Sequence, residues 1–269
     1  MTFFIIDVIV KSSVFPRTKR MINRKIFVCL SVTFFSSFSF NAWANWYAEG
    51  SAGLNWLKKD DGKMTITQGT GGEVDTLKQD KADTGLIYHI GGGYIFSLPL
   101  PQQSFLKKAS LGADIHYSPD RRIEGTTYQY GASDLDNYNF KMNLSFYRMM
   151  ITAREFISLP ERYRIEPYLS EGMGVTWNTV KQFTETPKVG VAGGNYEYKQ
   201  RTWVGAAYQL GLGISYLINR QWDAYAEYDY WFAGKIDGNN KYQSGVISKG
   251  AEWDLREQQL SVGIRYRFS

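Results

Sequence analysis

The chain has 269 residues, with 31 Lys and Arg against 26 Asp and Glu, a formal net charge of +5, one cysteine and two histidines. Six of those bases and one of those acids lie in residues 1–44, which leaves 25 of each, and no net charge, in 45–269. A basic surface for nucleic acid is thereby excluded from the body of the chain, and with Cys29 as the sole cysteine so is a disulfide framework.

Residues 1–20 fit no part of a secretory signal and are expected to be an over-extended start ahead of Met21. From Met21 a short basic region carries Arg24 and Lys25, residues 26–40 form an apolar core, and Ala42 and Ala44 supply the small residues that define cleavage. Cleavage is expected after Ala44. The apolar core is short for a spanning helix, which needs about 20 residues. Cys29 sits in mid-core and not at a cleavage boundary, which excludes a lipoprotein.

From residue 45 onward, apolar and polar residues alternate with period two in eight segments, the pattern of strands with two unlike faces. In 46–57, Trp46, Ala48, Ala52, Leu54 and Trp56 oppose Glu49, Ser51 and Asn55. In 85–96, Leu86, Tyr88, Ile90, Tyr94 and Phe96 oppose His89, Gly91 and Gly93. In 108–117, Leu111, Ala113, Ile115 and Tyr117 oppose Ser110, Asp114 and His116. In 138–149, Phe140, Met142, Leu144 and Phe146 read as the apolar face, and Asn139, Lys141, Asn143 and Ser145 as the polar one. In 165–177, Leu169, Met173, Val175 and Trp177 oppose Tyr168, Ser170 and Thr176. In 203–217, Val204, Tyr208, Leu210, Leu212 and Ile214 oppose Gln209, Gly211 and Ser215. In 222–233, Trp222, Ala224, Tyr228 and Phe232 oppose Asp223, Tyr225, Glu227 and Asp229. The tail, 255–269, sets Leu260, Val262, Ile264, Tyr266 and Phe268 against Gln259, Ser261, Gly263, Arg265 and Arg267.

This is the pattern of an all-β, eight-stranded antiparallel up-and-down transmembrane β-barrel, apolar faces to lipid and polar faces to the lumen. Residues 97–107, 150–164 and 218–221 are expected as periplasmic turns, and 58–84, 118–137, 178–202 and 234–254 as four longer extracellular loops. Trp46, Phe96, Tyr216, Trp222 and Phe268 should form one interfacial girdle, and Trp56, Tyr117, Trp177, Trp203 and Phe232 the other. Glu171 falls on the lipid face near mid-strand, and Arg148 points outward near a strand end.

Several stretches resemble a known family. The segments 166–177 (EPYLSEGMGVTW), 208–231 (YQLGLGISYLINRQWDAYAEYDYW) and 46–56 (WYAEGSAGLNW) are similar to strands of the opacity/porin-like surface proteins, relatives of the OmpA transmembrane domain. The tail resembles the insertion signal of bacterial outer-membrane proteins through Ser261, Gly263, Tyr266 and Phe268, with Ser269 following the final aromatic. The resemblance implies a multi-pass protein of the bacterial outer membrane, a structural or adhesin-like surface role and no enzymatic activity. It also implies outer-membrane lipid, lipopolysaccharide, the barrel-assembly machinery and a host or extracellular ligand of the loops as partners.

Eight strands leave an interior just wide enough for side chains, so the inward charges Glu49, Asp114, Lys141, Glu227, Asp229 and Arg265 are expected to form a lumen salt-bridge network. A narrow porin is the alternative. His116 and Ser118 resemble the His-x-Ser of lipid A deacylases, with Pro119 where that pattern has Asn, and give a second alternative: a lipid A-modifying hydrolase. Arg121 and Arg122 are candidates for lipopolysaccharide phosphate. With two histidines and no cysteine after residue 44, neither a transition-metal cluster nor a cofactor is expected.

Overall fold

The structure, a computed structural model, describes residues 45–269 apart from 59–60, 69–70, 99–104, 161–162, 240, 243–244, 247–248 and 269. The expected signal peptide and over-extended start lie outside the described residues. The strands are β1 (Asn45–Leu57), β2 (Asp61–Gln68), β3 (Gly71–Ala82), β4 (Gly85–Ser97), β5 (Leu106–Tyr128), β6 (Tyr138–Ile157), β7 (Ile165–Pro187), β8 (Tyr196–Tyr198), β9 (Arg201–Leu217), β10 (Trp222–Asp237), β11 (Lys241–Tyr242), β12 (Gly245–Val246) and β13 (Lys249–Arg267). Among the described residues there is no α-helix; a 3₁₀ turn covers Gln129–Gly131.

Eight long strands pair antiparallel in the order β1, β4, β5, β6, β7, β9, β10, β13. Strand β13 then pairs with β1, Ala52 opposite Val262 and Glu49 opposite Arg265, and the ring is closed. Closure leaves no edge strand, so every ladder amide has a partner inside the protein, as hydrocarbon demands.

The lipid belt is legible in the register. Tyr88, Tyr117, Tyr147 and Trp177 are successive partners across four strands and form a continuous outer girdle. At the other end Trp46 packs on Tyr94 with centroids 3.5 Å apart, and Trp222 on Tyr266 at 4.9 Å. Between the girdles the outward residues are apolar and exposed, among them Ile90, Ile151, Leu212, Val262 and Ile264. Pro167 and Trp177 on β7 are ten residues apart, the length a tilted strand needs to cross hydrocarbon. Phe96, expected in the inner girdle, is instead buried.

The strands run well past that belt. β5 and β7 have 23 residues each and β6 has 20, about twice what a spanning strand requires. The stretches expected as loops are therefore largely strand: β5 continues to Tyr128, β7 to Pro187, and 58–84 is the hairpin β2–β3. That hairpin carries the wall upward above β1 and β4, β2 pairing with β13 and β3 with β5. The long turn expected at 150–164 also shrinks, because β6 runs on to Ile157.

Above the outer girdle the polarity of the wall reverses. Met64, Leu77, Ile123, Phe140, Met142, Leu144, Phe183, Trp253 and Leu255 are buried inside, in one apolar cluster. The reversal needs no change in backbone direction. On β6 the even-numbered residues face inward throughout: Phe140, Met142, Leu144 and Phe146 above, then Arg148, Thr152 and Arg154 within the belt. The sequence expectation for this strand was inverted, because apolar residues face lipid only where there is lipid. In the water above, the hydrophobic effect turns the same residues inward.

Candidate functional site: the barrel lumen

The lumen is built by the inward residues of all eight strands, and three groups of charge follow one another along it. Nearest the apolar cap, Glu257 on β13 accepts hydrogen bonds from Arg121 and Arg148, each at 2.8 Å, while Asn55 accepts one from Arg121 at 3.0 Å. The Arg148 guanidinium also lies 3.6 Å above the Phe146 ring and 4.6 Å from Trp231. A register shift in β5 between Ser118 and Arg121 turns Arg121 inward. It is therefore buried and paired, and of the two arginines considered for lipopolysaccharide only Arg122 is exposed, bonded to Glu124. Arg148 is likewise inside, with 0% exposure, and does not point outward.

Toward the periplasm, Glu49 accepts a hydrogen bond from Arg265 at 2.8 Å and forms an ion pair with Arg154 at 2.8 Å. Arg154 also reaches Glu227 at 3.5 Å, and Tyr168 donates to Glu227 at 2.9 Å. Gln209 donates to Asp229 at 2.6 Å, with Ser170 at 3.4 Å. At the rim, Arg267 pairs with Asp223 at 2.6 Å and with Glu166, which also meets Lys108. Of the six charged residues expected in the lumen network, Glu49, Asp114, Glu227, Asp229 and Arg265 are buried there. Lys141 is not: it is exposed on the water-facing side of β6, above the belt, because that stretch is inverted relative to expectation.

Between these groups lie both histidines. The β4–β5 register sets His89 directly opposite His116, and their rings stack with centroids 4.6 Å apart. His89 Nε2 is 3.2 Å from Asp114 Oδ1 and 3.7 Å from Glu49 Oε1. The ligand-capable atoms of His89, Asp114 and His116 all lie within 4.8 Å of one another. The signal was present in the sequence. A hairpin turning within 97–107 puts residue 89 opposite 115 or 116, and both histidines fall on polar, inward faces.

His116 and Ser118 share the lumen face but do not form a nucleophile–base pair. Ser118 Oγ donates to the Leu86 carbonyl at 2.8 Å, and neither ring nitrogen of His116 has a hydrogen-bond partner among the described residues. At the tail, Ser261 faces the lumen opposite Gly53 and Glu227, Gly263 opposes Ser51 and Tyr225, and Tyr266 stacks edge-on against Phe268 at 4.9 Å in the periplasmic girdle. Glu171 is on the lipid face as expected, opposite Ala153 and Leu210.

No protein-family model and no curated protein sequence matches the chain. Among solved structures it is similar to Neisserial surface protein A (15% identity, 84% of this chain and 99% of that one, TM-score 0.41). It is also similar to Ail, the attachment invasion locus protein of Yersinia pestis, in complex with the heparin analogue sucrose octasulfate (12%, 83% and 99%, TM-score 0.35). A third is the outer membrane protease OmpT from Escherichia coli (13%, 86% and 99%, TM-score 0.44). The closed eight-stranded ring and its girdled lipid belt make this chain a β-barrel of the outer-membrane type.

Proposed function

We propose that this chain is a surface protein of the bacterial outer membrane whose barrel is a sealed stalk and whose extracellular tips act by binding, without enzymatic chemistry. The observation that carries the reading is the apolar core above the lipid belt. A pore needs a continuous aqueous path; here the path is blocked by Phe140, Met142, Phe146 and Trp231 above and by paired charges below. A soluble-type core standing on a membrane barrel gives rigid display of whatever sits on top.

The top is knit into one platform. Lys188 meets Asp136 at 2.7 Å and its amide donates to the Asn137 carbonyl at 2.8 Å, which joins the β5–β6 tip to the end of β7. Tyr138 packs on Tyr196 at 5.8 Å, and Tyr198 donates to Glu185 at 2.5 Å. Tyr130 and Val189 stand out from this platform and are its exposed contact residues. The ligand of the platform is extracellular, while lipid and lipopolysaccharide surround the wall. In this reading Ser261, Gly263, Tyr266 and Phe268 are the signal that the assembly machinery takes up.

The test is adhesion of cells displaying the intact chain against cells in which 132–136 and 189–194 are replaced by Gly-Ser linkers. Adhesion to host cells or matrix is expected to fall to background with the barrel still folded, as judged by heat-modifiable gel mobility. Equal adhesion by both, or lipid A deacylation by the intact chain, would overturn the reading.

A further inference from the structure

We propose that the lumen binds one divalent transition-metal ion of the zinc class, held by His89, Asp114 and His116. Three independent features point to it. The first is the donor set. The only two histidines of the chain stand face to face beside a carboxylate, all three buried and within 4.8 Å of one another. Zinc bonds of about 2.0–2.2 Å to nitrogen and oxygen put tetrahedral ligands roughly 3.3 Å apart. His89 Nε2 and Asp114 Oδ1 already stand at 3.2 Å, and a His116 ring nitrogen lies within 4.8 Å of both.

The second is the pattern of satisfied and unsatisfied atoms. Thr152 donates to Asp114 Oδ2, so Oδ1 is the oxygen left for an ion. Ser51 Oγ lies 3.2 Å and Tyr225 OH 3.4 Å from His89 Nδ1. That contact fixes the ring so that Nε2 turns toward the carboxylate, the outer-shell arrangement usual for a metal-bound imidazole. His116 has no hydrogen-bond partner at either nitrogen, although the residue is buried. A neutral imidazole buried without partners leaves a donor and an acceptor both desolvated, a cost on the order of 1–3 kcal/mol for each group. Ligation by one nitrogen satisfies one of these two groups.

The third is space and charge. A Cβ at position 91 would collide with Asp114 Oδ1 and stand 3.0 Å from His89 Nε2, so glycine clears the volume between these two ligands. The buried arginines are engaged elsewhere: Arg121 and Arg148 by Glu257, Arg154 and Arg265 by Glu49. Asp114 makes no direct ion pair with any of them among the described residues, although Arg154 stands near enough to act on its charge, so the carboxylate serves that guanidinium at a distance and a cation directly. A water completes four-coordination, since Glu49 Oε1, 3.7 Å from His89 Nε2, is already paired with Arg154 at 2.8 Å.

The experiment uses the full chain purified from outer membranes, exposed to Zn²⁺ and then dialysed. Bound zinc is measured by mass spectrometry, and the visible spectrum is recorded after exchange to Co²⁺. One ion per chain and the intense bands of tetrahedral Co²⁺ are expected. His116→Gln and Asp114→Asn should each lower retained zinc at least tenfold, with heat-modifiable mobility preserved. X-ray absorption of the zinc-loaded native chain should show two imidazoles, which reads the site even if a variant fails to fold. No retained zinc, zinc retained equally by His116→Gln, or a shell without two imidazoles would each overturn the proposal.

Discussion

Glu257 and Arg148 meet across the full width of the barrel. Their strands, β13 and β6, stand four places apart in the ring of eight and are therefore diametrically opposite, yet Arg148 Nη2 donates to Glu257 Oε1 at 2.8 Å. Arg121 reaches the same oxygen from β5. Glu257→Gln leaves two guanidiniums buried without a counter-charge, and breaking a buried pair in this way costs about 3–5 kcal/mol. Urea unfolding of the barrel in lipid vesicles measures the loss. A change under 1 kcal/mol would show that the bridge is not a structural brace.

Purified protein in planar bilayers is expected to give no stable conductance steps, because the apolar cap and the bridged lumen close the axis. A reproducible unitary conductance in the unmodified chain contradicts the sealed stalk.

The inverted stretch of β6 makes opposite substitutions diagnostic. Lys141→Leu, on the water-exposed face, should change stability by no more than about 0.5 kcal/mol. Met142→Ala, next to it in the apolar core, should cost about 2–5 kcal/mol. Ile151→Lys, on the lipid face, should cost about 2–4 kcal/mol. Unfolding titrations of the three variants provide the check, and a costly Lys141→Leu beside a harmless Met142→Ala would restore the original orientation.

The platform should respond to pH through Glu185. Burial, with the nearby Asp75 charge, holds its carboxyl above the usual value of 4.5, against hydrogen bonds from Tyr198 and Thr127 that pull it down. A carboxyl raised in the folded state binds its proton more tightly there than in the opened state. The tips are then most stable below about 4.5 and lose stability as pH rises from there to the folded value. Protease nicking of 188–195 should increase over that window, and Glu185→Gln should flatten the dependence. A native profile already flat from pH 4 to 8 rules the mechanism out.

The strands within the belt were legible because lipid outside and polar atoms inside leave an unambiguous period of two, as on β13 from Gln259 to Arg267. What escaped was everything governed by water. Phe146 and Tyr147 are both large and aromatic; the strand period puts them on opposite faces, but alternation alone does not say that Phe146 is the one inside. The inward turn of Arg121 depends on a bulge that alternation cannot reveal. The pairing of the histidines follows from a turn centre within 97–107 and two inward-facing positions, and it is invisible to alternation within either strand alone. Glu171 on the lipid face has no physical account in the structure.

The unbroken course of β5, β6 and β7 from the periplasmic rim to the extracellular tips has a mechanical consequence. A pull applied along these strands would load their hydrogen-bond ladders in shear, so that many bonds must yield together and none can be peeled off singly. A surface protein built this way holds against traction until the closed wall itself slips in register.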